Sequence, residues 1–277
     1  MRDLLLWTRR LAVALAVFVT PAVPLAEEPD SATRGYDNVL DTRVRDGYVY
    51  YRALKADRGA LDRYVAALAE ARAAGTREEQ MAFWLNAYNA LVLRAVIDHY
   101  PIAQRTTAFP LHSIRQIAGV FDQQPRRVAG RTVTLDQIEQ SILGPFHDPR
   151  VFFALGRGAS GGSRLRGEIY TADRLERQLA EQAAECASRD RCVRIDPVTN
   201  RVRVSALFSW RRSEFVETYA SRAGGVFAKR SAVEKAVIGF LTTQVAAADQ
   251  DFLARNRFKV EYLPFDWSLN DLASRRR

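Results

Sequence analysis

Residues 76–101 read TREEQMAFWLNAYNALVLRAVIDHYP. Thr76 followed three residues later by Glu79 is a capping-box signature, and Pro101 stops whatever it opens. The stretch predicts a helix over residues 78–100. Phe83, Ala87, Ala90 and Ile97 share one side of it; Trp84, Tyr88, Leu91 and Ala95 share another. A helix apolar on every face belongs at the centre of a core. Asn86 and Asn89 interrupt that pattern, three apart and therefore on one face. A buried amide left without a partner costs about 1–3 kcal/mol, so both must bond something. They either tie down a neighbouring loop or line a polar cleft.

Around this helix the pattern alternates between short helical and extended segments. Residues 61–73 are Ala-rich at helical spacing and end at Gly75. Residues 44–54 read as a short strand or irregular segment rich in Tyr. Residues 126–135 predict two short strands turning at Ala129-Gly130-Arg131, followed by a short helix over 136–143. Residues 151–155 form a continuous apolar run, which predicts a buried strand, and 156–167 a Gly-rich loop. Thr171-Ala172-Asp173 opens a helix to about residue 187. Residues 193–195 and 202–204 flank a hairpin signal. Helices are predicted near 213–220, 232–245 and 250–256, with a last strand over 258–263. Helices outnumber strands and the hairpins are local. The fold class is therefore α+β: a mainly helical single domain with short antiparallel hairpins and a buried central helix.

The chain has 277 residues, 48% hydrophobic and 26% charged, which excludes a wholly disordered or collagen-like protein. Arg2, Arg9 and Arg10 precede an apolar stretch over residues 11–19, broken by Pro21 and Pro24. That is the layout of a secretory signal, with cleavage expected after Ala26 and a periplasmic or secreted mature chain. The implied organisation is a signal peptide over 1–26, a linker over 27–44, one domain over 45–270 and a basic tail over 271–277. No later apolar run reaches the ~18 residues that span a bilayer, so no transmembrane segment is expected in the mature chain. The net charge is +9, but Arg is scattered among acidic residues and only Arg275-Arg276-Arg277 forms a run. That distribution does not point to nucleic acid. Cys186 and Cys192, six apart in an exported chain, predict a local disulfide.

Reactive constellations are sparse. Gly158-Ala159-Ser160-Gly161-Gly162 satisfies G-x-S-x-G after an apolar run. However, His99, His112 and His147 all precede Ser160, whereas the α/β-hydrolase order needs a His after the Ser. Both Cys also follow every His, against a papain-like order. The loop lacks the Lys-Ser/Thr ending of a phosphate loop. No H-E-x-x-H or comparable ligand spacing exists, so neither a metal nor another cofactor is expected. Glu139, and Asp266-Trp267 with Asn270, are further polar groups in apolar surroundings.

Three blocks carry a resemblance: Phe83 to Leu91 (FWLNAYNAL), Val133 to Glu139 (VTLDQIE) and Asp148 to Leu155 (DPRVFFAL). With Tyr170-Thr171, the segment around Trp210 and Phe265 to Asn270 (FDWSLN), they resemble in order the domain-of-unknown-function 547 family of bacteria and plants. The resemblance implies family positions at which His is usual where this chain has Gln140 and Phe152. It implies Cys where this chain has Arg157 and Gly162, with Pro where Ser163 stands. Thiol–imidazole chemistry by that route is then closed to this chain, since neither Gln140 nor Phe152 shuttles a proton and Arg157 is no nucleophile. The expectation is an exported member that binds a ligand. Asn86, Asn89, Glu139, Gln140, Arg157 and Trp210 would be contact residues, and Arg157 would make the former thiol position cationic. The partner would be a small or polymeric ligand, anionic in character. The alternative is a hydrolase of envelope material using Glu139, His147 or Ser160.

Overall fold

The cap at residue 76 forms in both directions. The Glu79 N–H donates to Thr76 Oγ1 at 3.2 Å, and the Thr76 N–H donates to Glu79 Oε2 at 2.6 Å. Asp30 caps the first helix in one direction only, accepting from the Thr33 N–H at 2.7 Å. The computed structural model describes residues 30–276. Its first layer comprises α1 (Ser31–Arg43), the two-residue strands β1 (Val44–Arg45) and β2 (Tyr48–Val49), α2 (Tyr51–Ala56) and α3 (Gly59–Glu70). These pack around α4 (Arg77–His99), whose Leu85, Ala87, Tyr88, Ala90, Val96 and Ile97 are wholly buried. Strands β3 (Arg126–Val128) and β4 (Arg131–Val133) form the expected hairpin. Its turn is held to α3 by the Ala129 N–H on Leu68 O and the Gly130 N–H on Ala69 O. Helix α5 (Leu135–Gln137), capped by Thr134 and Gln137, continues as a π-helical turn over Ile138–Leu143. Then come α6 (Val151–Ala154) and α7 (Leu175–Ala187).

The second half builds a separate hydrophobic cluster. Strands β5 (Val193–Asp196) and β6 (Arg201–Ser205) pair antiparallel, with Val193 opposite Val204. Helices α8 (Leu207–Trp210), α9 (Arg212–Tyr219), α10 (Ala232–Leu241) and α11 (Ala247–Ala254) then cross over to β7 (Lys259–Leu263). That last strand pairs parallel to β6, Val202 opposite Val260, so the sheet order is β5-β6-β7. A parallel neighbour requires such a crossover, and this strand adds one parallel pairing to the expected antiparallel hairpins. Phe153, Phe208, Phe215 and Phe240 form the centre of the cluster, with ring centroids 4.5–6.4 Å apart. The result is a mainly helical α+β domain, as the sequence predicts.

Three local expectations are corrected. Residues 151–155 are not a strand: α6 is a helical turn, with the Phe152 N–H on Pro149 O and the Phe153 N–H on Arg150 O. A short apolar run only reports burial on all sides, which a buried turn meets as well as a strand. Phe152 joins the cluster around α4 and Phe153 the cluster around β6, so the turn stitches the two together. Residues 31–43, expected within a linker, form α1, which buries Tyr36, Val39 and Leu40. Order also continues past residue 270: Asp271 bridges to Val49 and accepts from the Tyr100 hydroxyl at 2.8 Å. The signal segment and its cleavage after Ala26 lie outside the described residues. No helix among the described residues is long and apolar enough to cross a membrane.

Candidate functional site

A cleft of about 300 Å³ opens where the two halves meet. Helix α4 supplies Tyr88 at its floor. Arg115 comes from a single 3-10 turn, Ile114–Gln116, and Phe121 from the loop after it. Asp136 lies on α5, and Glu139 and Gln140 on the π-helical turn. Arg157 follows α6, Trp210 and Arg211 end α8, and Trp267 belongs to the C-terminal segment. Single π turns recur at functional sites. Here the turn brings the adjacent Glu139 and Gln140 to the same rim.

Arg157 is 3% exposed and already committed. Its Nη2 donates to Glu139 Oε1 at 2.7 Å, and its Nη1 donates to Phe152 O at 3.0 Å and Leu155 O at 3.4 Å. Burial is the largest influence and works against its charge, but Glu139, Tyr88 and Asp136 together outweigh it and hold the guanidinium above its ordinary pKa. The expectation of a free cation at position 157 is therefore corrected: the pair is neutral as a unit. Arg211 pairs with Glu214 and lies over the Phe152 ring, 4.0 Å from its centroid.

Arg115 differs. Its guanidinium lies over Phe109, Trp267 and Phe121 at 4.9, 5.2 and 5.7 Å. Its side chain enters no ion pair with a carboxylate among the described residues. Asp136 faces the same cleft; burial first, then Glu139 and Asp122, raise its carboxyl pKa against the pull of Arg115 and Arg157. Tyr88 is fully buried beside Glu139, and its hydroxyl makes no hydrogen bond of good geometry among the described residues. Burial, followed by the Glu139 charge, holds that phenol protonated. Above them the Trp210 indole is 48% exposed; it is nearly parallel to Trp267 (centroids 6.1 Å, 21°) and backed by Phe265 at 5.0 Å.

Of the six expected contact residues, Glu139, Gln140, Arg157 and Trp210 converge on this cleft. Asn86 and Asn89 do not line it. Asn86 accepts the Tyr170 N–H at 2.9 Å and donates to the Tyr170 carbonyl at 2.8 Å. Asn89 accepts the Gly156 N–H at 2.8 Å and donates to the Ala154 carbonyl at 3.1 Å. Both amides therefore tie down loops, and Asn89 fixes the backbone immediately before Arg157. Sequence reasoning missed Tyr88, Arg115, Phe121, Asp136 and Arg211. Tyr88 and Asp136 carried a usable signal, one inside the asparagine block and the other three residues before Glu139. Arg115 carried none, because nothing periodic surrounds it.

Glu139, His147 and Ser160 line three different depressions. His147 is exposed and bonds Glu217 at 3.2 Å. Ser160 sits in a loop that runs beside the C-terminal segment: its N–H donates to Ser268 O, and the Gly161 N–H donates to Asp266 O, both at 2.8 Å. Gly161, which fills the variable position of the G-x-S-x-G match, serves that contact. A Cβ on Gly161 would lie 2.5 Å from the Asp266 nitrogen, and Gly158 has φ +64°. Cys186 and Cys192 form the expected disulfide, with Cα atoms 5.3 Å apart. A larger groove, about 590 Å³, lies beside the β1–β2 turn. There Arg164 pairs with Asp46 and Glu185, and Arg166 with Glu168 and Glu181, so its main cations are already matched.

Residues 73–185 match the family described as protein of unknown function, DUF547. The match supports the resemblance to this family over that region. No curated protein and no solved structure matches the chain. The DUF547 region contributes Tyr88, Arg115, Phe121, Asp136, Glu139, Gln140 and Arg157 to the cleft. Trp210, Arg211 and Trp267 close it from beyond the DUF547 match.

Proposed function

We propose that this protein is an exported DUF547 member that binds a small ligand in the Gln140–Arg157 cleft without thiol chemistry. One observation carries the reading. Gln140 and Arg157, two positions at which the family resemblance implies His and Cys, border the same cleft, and neither supplies a nucleophile or a proton shuttle. What the cleft does offer is recognition chemistry: an aromatic wall, an amide, and in Arg115 a cation held in place by rings rather than by a carboxylate. The anionic preference expected of Arg157 passes to Arg115. Export is supported by the basic, then apolar, N-terminal sequence and by the Cys186–Cys192 disulfide. His147 and Ser160 lie in different depressions, which speaks against a Ser–His pair, and Glu139 is engaged by Arg157, so the hydrolase alternative gains no support.

The test is a thermal-shift screen of small organic anions on the mature chain, with Arg115→Gln alongside. Ligands that raise the melting temperature of the wild type and not of Arg115→Gln support the reading. A screen in which both proteins respond alike removes it. N-terminal sequencing of the protein recovered from the cell envelope or medium should begin at Glu27; recovery from the cytoplasm with Met1 in place would refute export.

A further inference from the structure

Resting on that binding reading, we infer that the ligand is a pyranose saccharide carrying a carboxylate, a uronic-acid type of unit. Its ring would lie on Trp210 and its acid group against Arg115.

Trp210 is the starting point. A large indole nearly half exposed loses hydration unless something covers it, and this one cannot fold away. Phe265 backs it and Trp267 lies almost parallel beside it. A rigid, flat, solvent-facing ring is a preorganised stacking surface. The occupants of such a surface are an aromatic ring, a cation or the C–H face of a sugar. A cation is disfavoured because Arg115 already lies over Trp267 and would repel it. A nucleotide would bring a doubly charged phosphate into the cleft that holds the Asp136 and Glu139 carboxylates, more negative charge than Arg115 alone offsets, whereas a uronate brings a single charge. A sugar ring meets neither objection. Its C–H face is weakly positive and suits the negative face of the indole, and its hydroxyls donate to Asp136 and both donate to and accept from the Gln140 amide. The cleft volume of about 300 Å³ is at the small end of ligand sites, in keeping with one ring rather than a dinucleotide. The acid group is assigned from Arg115, whose fork of donors matches a carboxylate in a bidentate manner and which forms no ion pair at contact distance with a carboxylate among the described residues.

The experiment is titration of the mature chain by calorimetry and Trp fluorescence with five probes: an oligouronate, the matching neutral oligosaccharide, acetate, inorganic phosphate and adenosine monophosphate. The oligouronate should bind and perturb Trp emission, with the neutral sugar weaker by about tenfold or more and acetate weaker still. Trp210→Ala should weaken the oligouronate by about tenfold or more, since the stacking surface is gone. Arg115→Gln should abolish the preference for the acidic over the neutral sugar. Circular dichroism should show both variants folded, because both side chains are exposed. Binding of phosphate, acetate or the nucleotide without either sugar overturns the saccharide class and leaves the ligand cleft standing. Silence from all five probes also overturns the class; the cleft itself falls only if the organic-anion screen is silent as well.

Discussion

Removing Arg157 tests the central feature of the cleft. Its guanidinium is 3% exposed and pairs with Glu139 at 2.7 Å, with the Glu139 side chain 13% exposed. At an effective dielectric of 20, two unit charges at that distance attract by about 6 kcal/mol. The desolvation of both ions, several kcal/mol each, offsets most of this, so the intact pair contributes little net stability. Breaking it is another matter. Arg157→Ala leaves the Glu139 carboxylate without its partner and takes the donor from the Phe152 and Leu155 carbonyls. The expected loss is about 3–5 kcal/mol. For a domain of this size each kcal/mol moves the melting temperature by about 2–4 °C, so a fall of roughly 6–20 °C is expected. Glu139→Ala should lose a similar amount by leaving the cation unpaired. The double variant Glu139→Leu/Arg157→Met removes both charges together and should recover most of the loss. Urea denaturation of the four proteins, followed by far-UV circular dichroism, gives the coupling directly. If the double variant is as unstable as the sum of the singles, or if Arg157→Ala costs under about 1 kcal/mol, the buried-pair reasoning is wrong.

Asn86→Leu should destabilise by about 2–6 kcal/mol, because both the N–H and the carbonyl of Tyr170 lose their partner. A melt within 1 °C of wild type would contradict the loop-anchoring role. The raised pKa of Asp136 means the folded state holds this proton more tightly than the unfolded chain does. Its contribution is thus fully present below the unfolded carboxyl pKa and is lost as pH rises through the higher folded one. Asp136→Asn should accordingly stabilise the protein at pH 7 and do so less at pH 3, measured by melts across that range; equal effects at both would refute the assignment. Converting Cys186 and Cys192 to Ser opens a loop of six-residue separation and should cost about 2 kcal/mol, read as a lower urea midpoint. Reduction of the wild type should produce the same shift, and a thiol count before reduction should be zero.

The sequence by itself determined those parts of the protein that rest on short-range rules. The Thr76–Glu79 capping box, the all-round apolar surface of α4, the turn at Ala129-Gly130 and the Cys186–Cys192 spacing each act within a few residues, and each forms as read. Four cleft residues were also named: Glu139 as a polar group in apolar surroundings, and Gln140, Arg157 and Trp210 through the family resemblance. Long-range matters were decided only by the tertiary structure. The asparagines could have faced a cleft or a loop, and the position of Tyr170 and Gly156 against α4 settled which. Residues 151–155 could have been strand or helix, since burial alone sets their composition and two clusters meet there. Whether Arg157 would be a free cation depended on a carboxylate eighteen residues earlier. Arg115 became a candidate only when Phe109, Phe121 and Trp267 converged beneath it. Local periodicity encodes which face of a segment is buried, but the partner that buries it comes from wherever the chain returns.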